Sequence, residues 1–257
     1  AAVVWYTKAA KQGNVKAQNN LDEMYRKGQG VPQDNSKEIE RYTREAEQGD
    51  IIAPYKLGVL YYKGQGVEKD DSTAAAWFFK AAEQGDSIAQ NNLGVMHEYG
   101  YGVPQDFSKA VKWYTMAANK GVAPAQFNLG MMYDIGRGVA EDDSAAAALF
   151  FKAAVQGLVP AQHNLGLMYE KGRGVPQDYS KAIEWYSMAA DQGHTSAQIN
   201  LGVLYSKGEG VAEDDSAAVA LFFKAAEKKI AQAQYNLGLI DLPPVIVPLS
   251  ELVSQPS

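Results

Sequence analysis

The stretch GRGVPQDYSKAIEWYSMAADQG, residues 172–193, decides the fold. It sets glycines ahead of a helical pattern and carries an acid, a Tyr, a Ser and a Lys, the ingredients of a phosphate loop or a small active site. It is not unique, because GQGVPQDNSKEIERYTREAEQG occupies residues 28–49, four times 36 residues upstream. At that period the Leu of an N-L-G element falls at Leu21, Leu57, Leu93, Leu129, Leu165, Leu201 and Leu237. The glycine pair before Val recurs at Gly28/Gly30, Gly64/Gly66, Gly100/Gly102, Gly136/Gly138, Gly172/Gly174 and Gly208/Gly210. A period of 20–50 residues marks a solenoid or array, in which no single unit can bury its own apolar face. A catalytic site is needed once, whereas this stretch comes once per unit; it reads as structural punctuation.

Within one unit the spacing predicts a helix, A, through AQHNLGLMYEKGRG (161–174), with Ala161, Leu165 and Met168 on one face. Gly172 ends it as a left-handed C′ residue, and Pro176 blocks its continuation. Asp178 and Ser180 offer side-chain oxygens to cap the next helix, B. In helix B, Ile183, Tyr186 and Ala190 keep helical spacing, Trp185 and Ala189 widen the apolar stripe, and Gly193 closes the unit. Nothing reads as a strand. The expected fold is an all-α solenoid of 36-residue helix pairs.

The patterns A-x-x-N-L-G-x-M-Y-x-x-G-x-G-V and D-x-S-K-A-x-x-W-Y-x-x-A-A-x-Q-G resemble those of the Sel-1-like repeat (SLR) family, relatives of the tetratricopeptide repeats. The resemblance covers residues 1–240, about six and a half to seven units. It implies a right-handed superhelix with A helices lining the concave side and B helices the convex side. It also implies an adaptor or regulator that gathers other proteins. Asp22, Pro54, Arg41, Glu45 and Lys229 depart from the pattern, so the units around 22–54 are expected to pack less regularly. A second period of 72 residues alternates VPQD loops with acidic ones (67–72, 139–144, 211–216), and WY-type with FF-type B helices, as an internal duplication would. Residues 241–257 form a Pro-rich tail. Its apolar part, Val245 to Val253, is expected either to fold back as a cap on the last helix A or to serve as an extended ligand for a neighbouring molecule.

Composition narrows the function. The 257 residues carry a net charge of −6 and no Cys, and the isoelectric point is about 5.2. No general field for nucleic acid or anionic membrane follows from that balance, and no stretch has the roughly 18 apolar residues of a membrane span. Thiol chemistry and disulfides are excluded, which fits a reducing cytoplasm; the start at Ala1, without Met or leader, leaves the compartment open. The three histidines have no second His at metal-ligand spacing, and the EDDS loops lack a calcium-binding pattern. The glycines follow a helix and lack both the third Gly of a dinucleotide fingerprint and the G-K-[ST] of a phosphate loop. The expectation is no metal, no cofactor and no catalytic residue.

The far side of helix A is where partners should bind. One row there reads Asn20, Lys56, Asn92, Asn128, Asn164, Asn200 and Asn236. An amide carries donor and acceptor, so such a row can grip an extended peptide backbone; it can equally bond a neighbouring loop or helix end. The adjacent row varies through Asn19, Tyr55, Asn91, Phe127, His163, Ile199 and Tyr235, as a selective surface would, and Phe127, Ile199 and Tyr235 are expected to be exposed. Lys16, Arg26, Lys27, Lys56 and Lys63 gather toward the N-terminal part of the groove, where an acidic partner segment would dock. The alternative is a structural module that self-associates through open solenoid ends.

Overall fold

The computed structural model describes residues 2–27, 36–227 and 230–239. The tail 241–257 with its expected cap, Lys229, Gly28 and Gly30, and the side chains of Asp22 and Arg26 lie outside the described residues. Every element among the described residues is a helix: α1 (Ala2–Lys11), α2 (Val15–Lys27), α3 (Ser36–Glu47), α4 (Ala53–Lys63), α5 (Asp71–Glu83), α6 (Ser87–Tyr99), α7 (Phe107–Asn119), α8 (Ala123–Asp134), α9 (Asp143–Ala154), α10 (Val159–Lys171), α11 (Tyr179–Asp191), α12 (Thr195–Lys207), α13 (Asp215–Ala226) and α14 (Ala231–Leu239). Even-numbered helices are A helices and odd-numbered ones B helices. The chain divides into two compact units, 1–153 and 154–257. In the first, α5 packs on α4 and α6, and α7 on α6 and α8; in the second, α11 packs on α10 and α12, and α13 on α12 and α14. Packing of each helix on its neighbours in sequence is the solenoid arrangement.

The predicted core faces are largely the observed ones, although Ile183 and Trp185 of the helix B stripe are only half-buried. Ala161, Leu165, Met168, Tyr186, Ala189 and Ala190 are buried. The Gly of each N-L-G element serves a close approach that the periodicity did not disclose. A Cβ on Gly166 would lie 2.6 Å from the Tyr186 ring, and one on Gly58 the same distance from the Phe78 ring. Gly94, Gly130 and Gly202 face Tyr114, Phe150 and Phe222 in the same way, closer than real Cβ contacts allow. Glycine at this register lets the inner ring of helix B lie directly on the backbone of helix A.

Further hydrogen bonds mark the repeat. The buried amides of Gln90, Gln126, Gln162 and Gln198 donate to the carbonyls of Ala82, Ala118, Ala154 and Ala190, at 3.0, 3.3, 3.3 and 3.2 Å. Each latch ties a helix A to the last turn of the B helix before it, as a second donor to a carbonyl that also accepts from the glycine N–H of the intervening turn. Pro54 stands at this register in α4 and has no amide to give. Between A and B, Gly172 takes φ +67° and its N–H donates to Met168 O, as a left-handed C-terminal residue. Asp178 Oδ1 then accepts from Lys181 N at 3.0 Å. Ser180 does not share in that cap as expected; its hydroxyl donates to Gly210 O at 3.3 Å, reaching the glycine loop of the following repeat.

The departures in α3 weaken its packing. Glu45 stands where Ala81, Ala117 and Ala153 are fully buried. It pairs instead with Arg41 at 3.2 Å in a half-exposed ion pair, and no described side chain of α3 is buried.

Candidate binding surface on the A helices

The fold sets the predicted rows at one register of successive A helices, and in both units they join through side-chain hydrogen bonds. In the first unit Asn128 Nδ2 donates to Asn91 Oδ1 at 3.3 Å, linking α8 to α6. In the second, Asn200 Nδ2 lies 3.3 Å from His163 Nε2 and donates to the Tyr186 hydroxyl at 3.2 Å. Asn164 Oδ1 sits 3.2 Å from His163 Nδ1. These bonds assign a neutral His163 with its proton on Nδ1 and an accepting Nε2. Burial pushes the His163 pKa below its ordinary value, against smaller opposing effects from Asn164 and Glu170, which favours that neutral form. Asn236 is buried and accepts from Gln232 within α14 at 2.9 Å. Asn92 and Asn164 are half-buried, whereas Asn20 and Lys56 are exposed.

The variable row does double duty. The rings of Tyr55, Phe127 and His163 lie 5.9, 5.6 and 5.7 Å from those of Phe78, Phe150 and Tyr186. Each covers the inner aromatic of the next B helix, beside the N-L-G glycine. Phe127 and Ile199 are therefore half-buried rather than exposed as expected; Tyr235 is exposed, at 62%. Among the basic residues, Lys16, Lys56 and Lys63 are exposed, and Lys27 is tied to Glu23 at 2.8 Å within α2.

Four residues outside the expected binding rows complete the surface, among them Tyr186, expected only as a core residue. The hydroxyls of Tyr114 and Tyr186 donate to Glu98 Oε2 and Glu170 Oε2, both at 2.7 Å. Burial, then the bond to the carboxylate, pushes both phenols far above their usual range, so they remain donors at any ordinary pH. Lys171 Nζ lies 2.6 Å from Glu170 Oε1, and that hydrogen bond and charge raise the Lys171 pKa. The signal was available in the repeat. Glu stands sixteen residues before Tyr114 and Tyr186, whereas Arg26 stands before Tyr42 of the irregular α3, and Tyr62, Asp134 and Ser206 stand before the inner Phe residues (Phe78, Phe150, Phe222). A buried hydroxyl needs an acceptor, and a phenyl ring does not.

No group of His, Cys, Asp or Glu among the described residues is arranged to hold a metal ion, and no described helix is long and apolar enough to cross a membrane. What the A-helix surface offers is amides, aromatic rings and paired carboxylates spread along successive repeats.

Stacked helix pairs with one polar register per repeat define an α-solenoid of the tetratricopeptide-related kind. The Sel1 repeat profile matches residues 1–14, 15–37, 52–86, 87–122, 123–158, 159–194, 195–229 and 231–242, and the chain belongs to that family. Sel1 repeats generally build non-catalytic protein-interaction modules. Among solved structures, a protective antigen present in uropathogenic Escherichia coli strains, with an SLR fold, is 36% identical with a TM-score of 0.80, over 91% of this chain and 50% of that one. The chain thus spans half the length of that antigen. A Sel1 repeat protein from Oxalobacter formigenes is 30% identical with a TM-score of 0.69, over 80% of this chain and 90% of its own. No curated protein sequence matches the chain significantly.

Proposed function

We propose that this chain is a non-enzymatic adaptor that holds extended segments of partner proteins on the surface of its A helices. The observation that carries this reading is the amide register. Asn128 and Asn200 are already positioned by bonds along the surface, yet an amide has two N–H groups and a two-fold acceptor, so each keeps capacity for a peptide backbone. Selectivity on this reading comes from Tyr55, Phe127, His163, Ile199 and Tyr235 beside that register. Lys16, Lys56 and Lys63 favour acidic segments toward the N-terminal end.

The test is selection of binding peptides from a random display library against the intact chain, followed by affinity measurement on Asn128→Ala and Asn164→Ala. The expected result is weaker binding with a nearly unchanged melting temperature. Unaltered binding by folded variants that have lost more than about 2 kcal/mol of stability would make the register purely structural.

A further inference from the structure

We infer that the first unit carries a second binding groove on its B-helix side, between α5 and α7, which takes an acidic protein segment through an apolar anchor. This site is independent of the A-helix surface. A cavity of about 790 Å³ opens there, within the range of pockets that hold ligands. Its apolar wall includes Ala75, Ala76, Phe79, Leu93, Val103 and Trp113. Phe79 is 44% exposed and meets Trp113 edge-on at 5.9 Å. An aromatic left this open at the mouth of an apolar cleft is the kind of surface that a partner covers.

The cavity has a cause in the sequence. His97 lines it, at the register where the other A helices carry Tyr61, Tyr133, Tyr169 and Tyr205. Those tyrosines pack against the apolar clusters. The smaller imidazole fills less of that space, and its buried Nδ1 has no hydrogen-bond partner.

Charge selects the occupant. Lys80, Lys109 and Lys112 line the groove against a single acid, Glu83, on a chain of net charge −6. Lys80 lies over the Trp77 ring at 4.2 Å, and Lys109 reaches Asp106 at 3.4 Å through an exposed pair; exposed pairs of this kind are weak and readily exchanged. A basic rim around an apolar wall fits carboxylates flanking a Leu, Phe or Trp. A nucleic acid would leave the apolar wall unused and meet the repulsion of the rest of the molecule. The internal duplication supplies a comparison within the chain. Phe151, Trp185 and Lys181 repeat Phe79, Trp113 and Lys109, but Tyr169 stands for His97 and Glu184 for Lys112.

The experiment titrates the full chain into three fluorescein-labelled peptides: Leu and Phe flanked by Glu, the same anchors flanked by Lys, and the Glu peptide with Ser in place of the anchors. Only the first should bind, more weakly as salt rises. His97→Tyr, which installs the repeat's own residue, and Lys112→Glu, a surface change, should each weaken it at least ten-fold with an unchanged circular dichroism spectrum. Asn128→Ala should bind it as the parent chain does. Absence of binding, equal binding of the Lys-flanked peptide, or full affinity in the folded Lys112→Glu variant overturns the inference. So does displacement of the peptide by decanoate at equal concentration, which would make the groove a site for small anionic amphiphiles.

Discussion

Replacing Gly166 by Ala puts the close approach between α10 and α11 to a direct test. In an isolated helix the change favours folding by up to about 1 kcal/mol, since glycine loses more backbone freedom than alanine. Here the added Cβ would stand 2.6 and 2.7 Å from Tyr186 Cδ1 and Cε1. Relief to an ordinary contact of about 3.4–4 Å asks for a shift approaching 1 Å, in an interior that yields little. Tyr186 cannot swing aside, because its ring is fully buried and its hydroxyl is held at 2.7 Å by Glu170. Overpacking of this sort costs about 1–3 kcal/mol. Net of the full propensity gain, the expected loss reaches about 2 kcal/mol, roughly thirty-fold in the folding equilibrium. Urea unfolding of the full chain, followed by circular dichroism and by tryptophan fluorescence, measures it. Gly238→Ala is the internal control: a Cβ there meets nothing within 4 Å, so its effect should lie between none and a stabilisation of about 1 kcal/mol. A Gly166→Ala chain as stable as the parent, or shifted in the same direction as Gly238→Ala, would refute the reasoning.

Two further outcomes follow from the A-helix surface. Tyr186→Phe keeps the ring, as Phe150 and Phe222 do at the same register, but removes the bonds to Glu170 and Asn200; it should cost about 1–2 kcal/mol in urea unfolding, and an unchanged midpoint would deny the bond any net value. His163 has a folded-state pKa pushed below its ordinary 6.5 by burial, so the unfolded chain binds the proton first as pH falls. Its contribution is therefore intact above about pH 6.5 and lost as pH drops from there through the folded-state pKa. The melting temperature should decline over that window, and His163→Gln should flatten the decline; a variant with the same slope as the parent would sink the assignment.

The fold was legible because its determinants repeat. Helix periodicity, the Gly172 stop and the Asp178 cap each depend on residues within a few positions of one another, and each recurs every 36 residues. What periodicity left unread depends on pairs brought together by packing. The N-L-G glycine looks like a helix weakness until the ring of Tyr186 is laid against it. The buried Gln162 looks like a surface residue until the Ala154 carbonyl is found beside it. Ser180 was read as a local cap because only local partners are visible in sequence; its partner, Gly210, is thirty residues away. The candidate surface shows the same division. The Asn register and the variable row were visible as columns of the repeat, whereas the half-burial of Phe127 follows from its contact with Phe150, on another helix.

The lengths of the bonds along the A-helix surface separate what holds the fold from what a partner could use. The Tyr114–Glu98 and Tyr186–Glu170 bonds, at 2.7 Å to a carboxylate, are short and charge-assisted. The side-chain hydrogen bond Asn128–Asn91, at 3.3 Å, lies beyond the usual N–H···O range and is correspondingly weak, and the N···N contact Asn200–His163 is as long. At Asn128 a peptide carbonyl at about 2.9 Å would therefore exchange a poor bond for a better one without disturbing the Tyr114–Glu98 pair. A binding surface needs an upper layer that can be given up and a lower layer that stays. On the proposed reading the asparagines are the first and the tyrosine–glutamate pairs the second. Tyr114→Phe should then lower stability and spare peptide affinity, while Asn128→Ala should do the reverse.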